Sequence, residues 1–137
     1  MSEALAHPDL YVSSGGDAVR LVGMRCGRCG HVAFPRQHFG CEKCGADDDE
    51  LEGRELTASG RLTSFATVHM HQAKTIAAPF VIGEIELDDG PTIRITMVES
   101  SDEGMRIGAR VRGALVAVPS SGDTPVRREL RFAVGAP

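Results

Sequence analysis

Apolar and polar residues alternate through most of the second half of the chain. Residues 92–98 alternate without interruption: Ile93, Ile95 and Met97 share one face, and Thr92, Arg94 and Thr96 the other. That is the two-residue period of a half-buried strand. Residues 80–87 set Val81, Ile85 and Leu87 against Glu84 and Glu86. Asp88-Asp89-Gly90 joins these two runs as a hairpin turn. A Thr-, Val- and Phe-rich run over 62–70 predicts a strand before the hairpin, and runs over 109–118 and 130–134 predict two after it. Residues 119–125 are a Ser, Gly, Asp and Pro loop, and 99–108 is turn-rich with room for a short helical turn. No helical period of ten residues or more follows residue 45. Five short strands are enough to curl but too few for a sandwich, so the expected architecture is a small five-stranded barrel of OB type.

The first part reads differently. Strand candidates at 19–24 and 32–34 each lie beside a Cys-x-x-Cys turn, and all four cysteines fall between Cys26 and Cys44. Asp47-Asp48-Asp49-Glu50, followed by Glu52 and Glu55, reads as a solvated linker between the two parts. It lacks the spaced oxygen ligands and the glycine of a calcium loop. The division expected is an N-terminal extension over 1–18, a cysteine-bearing module over 19–50 and a barrel over 51–137.

Composition narrows the function. The chain has 137 residues, with 42% hydrophobic and 25% charged, as in folded soluble proteins. Aromatic residues are only 4%, so Val, Ile, Leu, Ala and Met must build the core. The net charge of −4 opposes binding to a long polyanion, which needs a positive field. Of the 15 basic residues 13 are Arg, which suits bidentate contact with a small phosphorylated ligand or a partner's carboxylates. No apolar run has signal-peptide length at the start, and none approaches the roughly 20 residues that cross a bilayer. A cytoplasmic protein is expected, and disulfides rarely persist there.

The cysteines carry the clearest chemistry. Cys26-x-x-Cys29 and Cys41-x-x-Cys44 are separated by eleven residues, each pair followed by a glycine, Gly30 and Gly45. Each pair is a tight knuckle whose glycine allows a left-handed turn. Two knuckles direct four thiolates at one ion about 2.3 Å away. Two matched pairs do not fit a single redox dithiol. Iron can occupy four thiolates, but redox-silent zinc suits a structural role. Four sulfurs leave no position for a catalytic water. His38, three residues before Cys41, therefore finds no vacancy. His69 and His71 share a strand face without a carboxylate or third imidazole, and with Lys74 they are candidates for a ligand path. There is no Gly-x-Ser-x-Gly, no phosphate-binding glycine loop and no His-Glu-x-x-His, so unaided catalysis is not expected.

Several stretches together resemble a known family. They are Arg25-Cys26-Gly27-Arg28-Cys29-Gly30, Phe34-Pro35-Arg36, Cys41-Glu42-Lys43-Cys44-Gly45, Gly60-Arg61-Leu62-Thr63-Ser64-Phe65, Ala78-Pro79-Phe80-Val81-Ile82, Glu86-Leu87-Asp88-Asp89-Gly90 and Arg106-Ile107-Gly108-Ala109-Arg110-Val111. Their order and spacing over 19–134 resemble acyl-CoA-associated proteins, once a domain of unknown function, with a rubredoxin-like zinc ribbon followed by an OB-fold. Among these the chain looks most like the zinc-finger accessory subunits of thiolase complexes, such as that of benzoylsuccinyl-CoA thiolase. The resemblance implies a mostly β protein, its zinc ribbon packed on the barrel, that assembles with a thiolase-fold subunit. The nucleophile would sit on that partner, and this chain would stabilise the complex and shape the acyl-CoA path. Two features depart from the family: the start lacks the usual aromatic-bearing helix, and Cys41-Glu42 stands where Cys-Pro is common.

Within that reading Lys74, in the long 69–78 connection, and Arg36, beyond the first knuckle, are the candidate contacts to CoA. The alternative function is nucleic-acid binding, which zinc ribbons and OB barrels also perform. It wants stacking aromatics and a positive groove. Five Phe and one Tyr are the whole aromatic supply, so the alternative ranks second and no nucleic-acid partner is expected.

Overall fold

The computed structural model describes residues 5–13, 19–70, 78–118 and 126–135. Nine strands are found there: β1 (Tyr11–Ser13), β2 (Val19–Cys26), β3 (Val32–Ala33), β4 (Leu51–Thr57), β5 (Ser59–Val68), β6 (Phe80–Leu87), β7 (Thr92–Thr96), β8 (Arg110–Val118) and β9 (Arg127–Val134). The helical content of the described residues is one 3₁₀ turn, Asp48–Glu50, so no helix there is long and apolar enough to cross a membrane.

The N-terminal sheet is built around β2. One edge pairs with β4 from Arg20↔Thr57 to Cys26↔Leu51; the other pairs with β1 and then with β3. The acidic turn Asp48–Glu50 is exposed, as expected of a solvated linker, but Glu52 and Glu55 belong to β4. Periodicity hid β4 because only Leu51 and Leu56 are buried in it, five residues apart, while both its faces carry exposed polar side chains between them. The stretch read as an N-terminal extension supplies β1, whose Tyr11 is fully buried.

The second sheet runs β7-β6-β5-β8-β9. It closes through a parallel bridge between Met97 and Phe132, where the Val98 N–H donates to the Phe132 carbonyl at 2.7 Å. Strand β5 serves both halves of the barrel. Its first residues pair with β6 and β8 at once, Gly60 facing Leu87 on one side and Val111 on the other. A bulge between Leu62 and Ser64 re-aims the rest of β5, and the Thr63 hydroxyl donates to the Glu84 carbonyl at 3.1 Å. The five expected barrel strands are thus present, with β5 and β9 each beginning three residues earlier than the pattern indicated.

One core joins the sheets. Leu62, Val81, Ile85, Val111 and Phe132 fill the barrel, and Tyr11, Val19, Leu21 and Leu56 of the N-terminal sheet belong to the same cluster. Burying each such side chain contributes about 1.5–3 kcal/mol. The ribbon is therefore packed on the barrel.

A polar clasp locks the β6–β7 turn to β5 and β8. The Arg110 guanidinium donates to both Asp88 oxygens, at 2.8 and 2.7 Å, and the buried Ser59 hydroxyl donates to Asp88 at 2.7 Å. These bonds, Arg110 first and Ser59 second, hold the Asp88 carboxyl down at about 2. The pair is half exposed, which screens its Coulomb energy. Asp88→Ala should cost about 1–2 kcal/mol, mainly by stranding the Ser59 hydroxyl. Denaturant melts check this, and adding Ser59→Ala should recover part of the loss.

Candidate metal centre

The two knuckles are built alike. In each, the N–H of the following glycine donates to the first cysteine's carbonyl: Gly30 to Cys26 at 2.8 Å and Gly45 to Cys41 at 3.0 Å. In each, the first cysteine's N–H donates five residues on, Cys26 to His31 and Cys41 to Ala46, both at 2.8 Å. Gly30 and Gly45 adopt φ of 81° and 79°, which L side chains rarely take. Strand β2 delivers Cys26 to the site. The second knuckle is tied back by the close approach of Gly40 to the Ala46 carbonyl, where a Cβ would lie only 2.9 Å away.

The four sulfurs lie within 4.8 Å of one another. Cys26 Sγ is 3.7 Å from Cys44 Sγ, and Cys29 Sγ is 3.6 Å from Cys41 Sγ. These are not disulfide lengths. They match the edge of about 3.8 Å expected for a tetrahedron of thiolates around zinc at about 2.3 Å. Backbone N–H groups of Cys44 and Lys43 reach Cys41 Sγ at 3.4 Å and hold that thiol down to about 6. Cys26 is lowered chiefly by the Cys29 N–H. Cys44 behaves oppositely. The Ala46 N–H favours its thiolate, but burial and the three neighbouring sulfurs outweigh that and push it up to about 11. Four thiols this close cannot all ionise together, so a divalent cation is the partner the cluster requires. The donor set, spacing and buried position of Cys26 and Cys41 fit a structural zinc, and this protein carries one.

The described histidines stay outside it. His38 Nδ1 lies 3.0 Å from Asp48, and His31 Nε2, which sequence reasoning did not single out, lies 2.7 Å from Glu42. His69 is exposed just past the end of β5, while His71 and Lys74 lie outside the described residues. Arg36 is exposed, and its guanidinium rests over Gly53 of β4, where a Cβ would collide with it. No carboxylate partners Arg36 among the described residues.

Known proteins match this arrangement. The profile described as the ChsH2 rubredoxin-like zinc ribbon domain matches residues 14–50, and that of the ChsH2 C-terminal OB-fold domain matches 53–116. A DUF35 domain-containing scaffold protein of Methanocaldococcus jannaschii is 33% identical over 107 residues, covering 77% of this chain and 74% of that one. Benzoylsuccinyl-CoA thiolase subunit BbsA of Thauera aromatica is 32% identical over 109 residues, covering 79% of this chain and 63% of its own length. A solved structure titled Ltp2-ChsH2(DUF35) aldolase superposes with a TM-score of 0.60 over 82% of this chain and 84% of that chain, at 22% identity, and shares the fold. With both domain profiles in order and a scaffold-protein relative at that identity, the chain belongs to the DUF35 family of zinc-ribbon and OB-fold proteins.

Proposed function

We propose that this chain is a non-catalytic accessory subunit of an acyl-CoA thiolase or related thiolase-fold aldolase complex. In that complex it stabilises the partner and shapes the acyl-CoA path. The observation that carries the reading is that all four cysteines converge on one closed site, leaving no thiol as nucleophile and no position for a metal-bound water. Cys26, Cys29, Cys41 and Cys44 are the zinc ligands. The naming of one relative as a thiolase subunit and of another as a scaffold protein supports the same reading. Nucleic-acid binding is disfavoured by the charge pattern. Arg61, Arg94 and Arg110 on the barrel wall are paired with Glu86, Glu84 and Asp88. Single-stranded DNA or RNA should bind no tighter than about 10⁻⁴–10⁻⁶ M at physiological salt.

The test is co-purification followed by assay. The chain should bring down a thiolase-fold subunit, show no thiolytic or aldol-cleaving turnover alone, and raise the partner's activity when added back. Turnover by the isolated chain would refute the reading. We place CoA phosphates against Arg36 and Lys74. In the assembled complex Arg36→Ala and Lys74→Ala should each raise the KM for acyl-CoA about tenfold, the scale of one charge-assisted hydrogen bond, with assembly intact.

A further inference from the structure

Among the described residues, two strand edges at the junction of ribbon and barrel are open. Among the described residues strand β3 pairs only with β2, and the bond from the Cys26 N–H to the His31 carbonyl fixes the phase of that ladder. Val32, opposite Arg25, then holds a non-hydrogen-bonded position, and its N–H and C=O turn away from β2. Strand β7 ends the barrel order and, among the described residues, pairs only with β6 until the bridge at Met97. The bonds from the Leu87 N–H to the Pro91 carbonyl and from the Met97 N–H to the Val81 carbonyl place the odd-numbered residues in that ladder. Thr92 and Arg94 therefore turn their backbone groups outward.

A groove of about 580 Å³ is bordered by β3 and the start of β7, with Val32, Glu42, Asp89 and Thr92 among its walls. Phe34 borders both it and a second hollow of about 220 Å³, whose walls include Leu10, Tyr11, Ile93, Ile95 and Leu130, with His7, Arg94 and Glu129 also lining it. Open edges in soluble proteins are usually blocked by proline, a bulge or an unpaired charge. Residues 92–96 contain no proline, their pairing with β6 is unbroken, and the one charge among them, Arg94, is matched by Glu84 at 3.2 Å.

We propose that an extended segment of the thiolase-fold subunit adds itself as a strand to β7 in this groove. This rests on the accessory-subunit reading above. Thr92 and Arg94 supply the alternate N–H and C=O groups that strand addition uses. The second hollow accepts an apolar side chain of the incoming segment. Glu42 and Asp89 rim the first groove, and the chain as a whole is acidic at −4. Glu42 already faces His31 at 2.7 Å, so charge complementarity assigns Lys or Arg to the incoming residue opposite Asp89.

The test compares residue-resolved amide exchange in the free chain and in the co-purified complex. The Thr92 and Arg94 amides should exchange at least tenfold more slowly in the complex. Arg94→Pro removes an outward N–H without touching the β6 ladder, and should weaken the complex at least tenfold; Arg94→Ala, which keeps the N–H, should not. If Arg94→Pro does not fold, exchange in the wild-type complex decides. A thiolase-fold complex with unchanged Thr92 and Arg94 exchange overturns this inference and leaves the accessory-subunit reading standing. Failure of any thiolase-fold subunit to bind overturns both. Protection already present in the free chain and rising with its concentration assigns the edge to a second copy instead, and also overturns the inference.

Discussion

Replacing Cys41 with serine should abolish stoichiometric zinc and unfold the barrel together with the ribbon. The ribbon's own cluster is only Met24, Cys26, Ala33, Cys41, Ala46 and Leu51, four of them Ala or Cys, too small to order its loops. The metal supplies what that cluster lacks, on the scale of about 10–16 kcal/mol in small zinc peptides. Tyr11, Val19, Leu21 and Leu56, from strands the ribbon holds in place, belong to the barrel's core. Losing their burial removes several kcal/mol from a total that is typically about 5–15 kcal/mol for a domain. Elemental analysis should give one zinc per wild-type chain and none for Cys41→Ser. The melting temperature should fall by more than about 10 °C, since each kcal/mol shifts a domain of this size by a few degrees. A strong chelator should have the same effect. Because all four thiols must lose their protons to bind, and Cys44 holds its proton up to about 11, zinc affinity should weaken as the pH falls. A metal-free variant that melts cooperatively within a few degrees of the wild type would show that the ribbon and barrel are independent.

Gly60→Val should be the most damaging substitution away from the metal. A Cβ at Gly60 would collide with the Glu86 carbonyl oxygen and lie 2.9 Å from both the Glu86 carbonyl carbon and Leu87 Cα. These are backbone atoms of β6, and β6 cannot retreat because Leu87 and Glu86 hold the hairpin that carries β7. Overpacking in cores typically costs about 1–3 kcal/mol; here strand pairing fails as well, and loss of the cooperative melt is expected. Gly83→Ala provides the contrast. Its Cβ would meet Met97 Sδ at 2.7 Å and Leu62 Cδ1 at 3.0 Å, both flexible side-chain ends. Gly83→Ala should cost about 1–2 kcal/mol and leave the transition cooperative. Equal losses at the two positions would show that β6 yields where the packing indicates it cannot.

The sequence by itself determined the metal site and the barrel strands, because both depend on local spacing. A Cys-x-x-Cys turn closes on itself through Gly30 or Gly45 whatever lies around it. The alternation of Ile93, Ile95 and Met97 states which face is wet. Long-range pairing alone decided the rest. Strand β4 exists because β2 offers seven partners to residues 51–57 that have almost no apolar pattern of their own. Tyr11 is core because its hydroxyl reaches the Arg128 carbonyl at 3.1 Å, 117 positions along the chain. Gly60 is indispensable because β6 and β8 meet at it. The open edges of β3 and β7 likewise have no trace in residue type. Hydrogen-bond phase is set by which neighbour a strand pairs with, and only the folded chain fixes that neighbour.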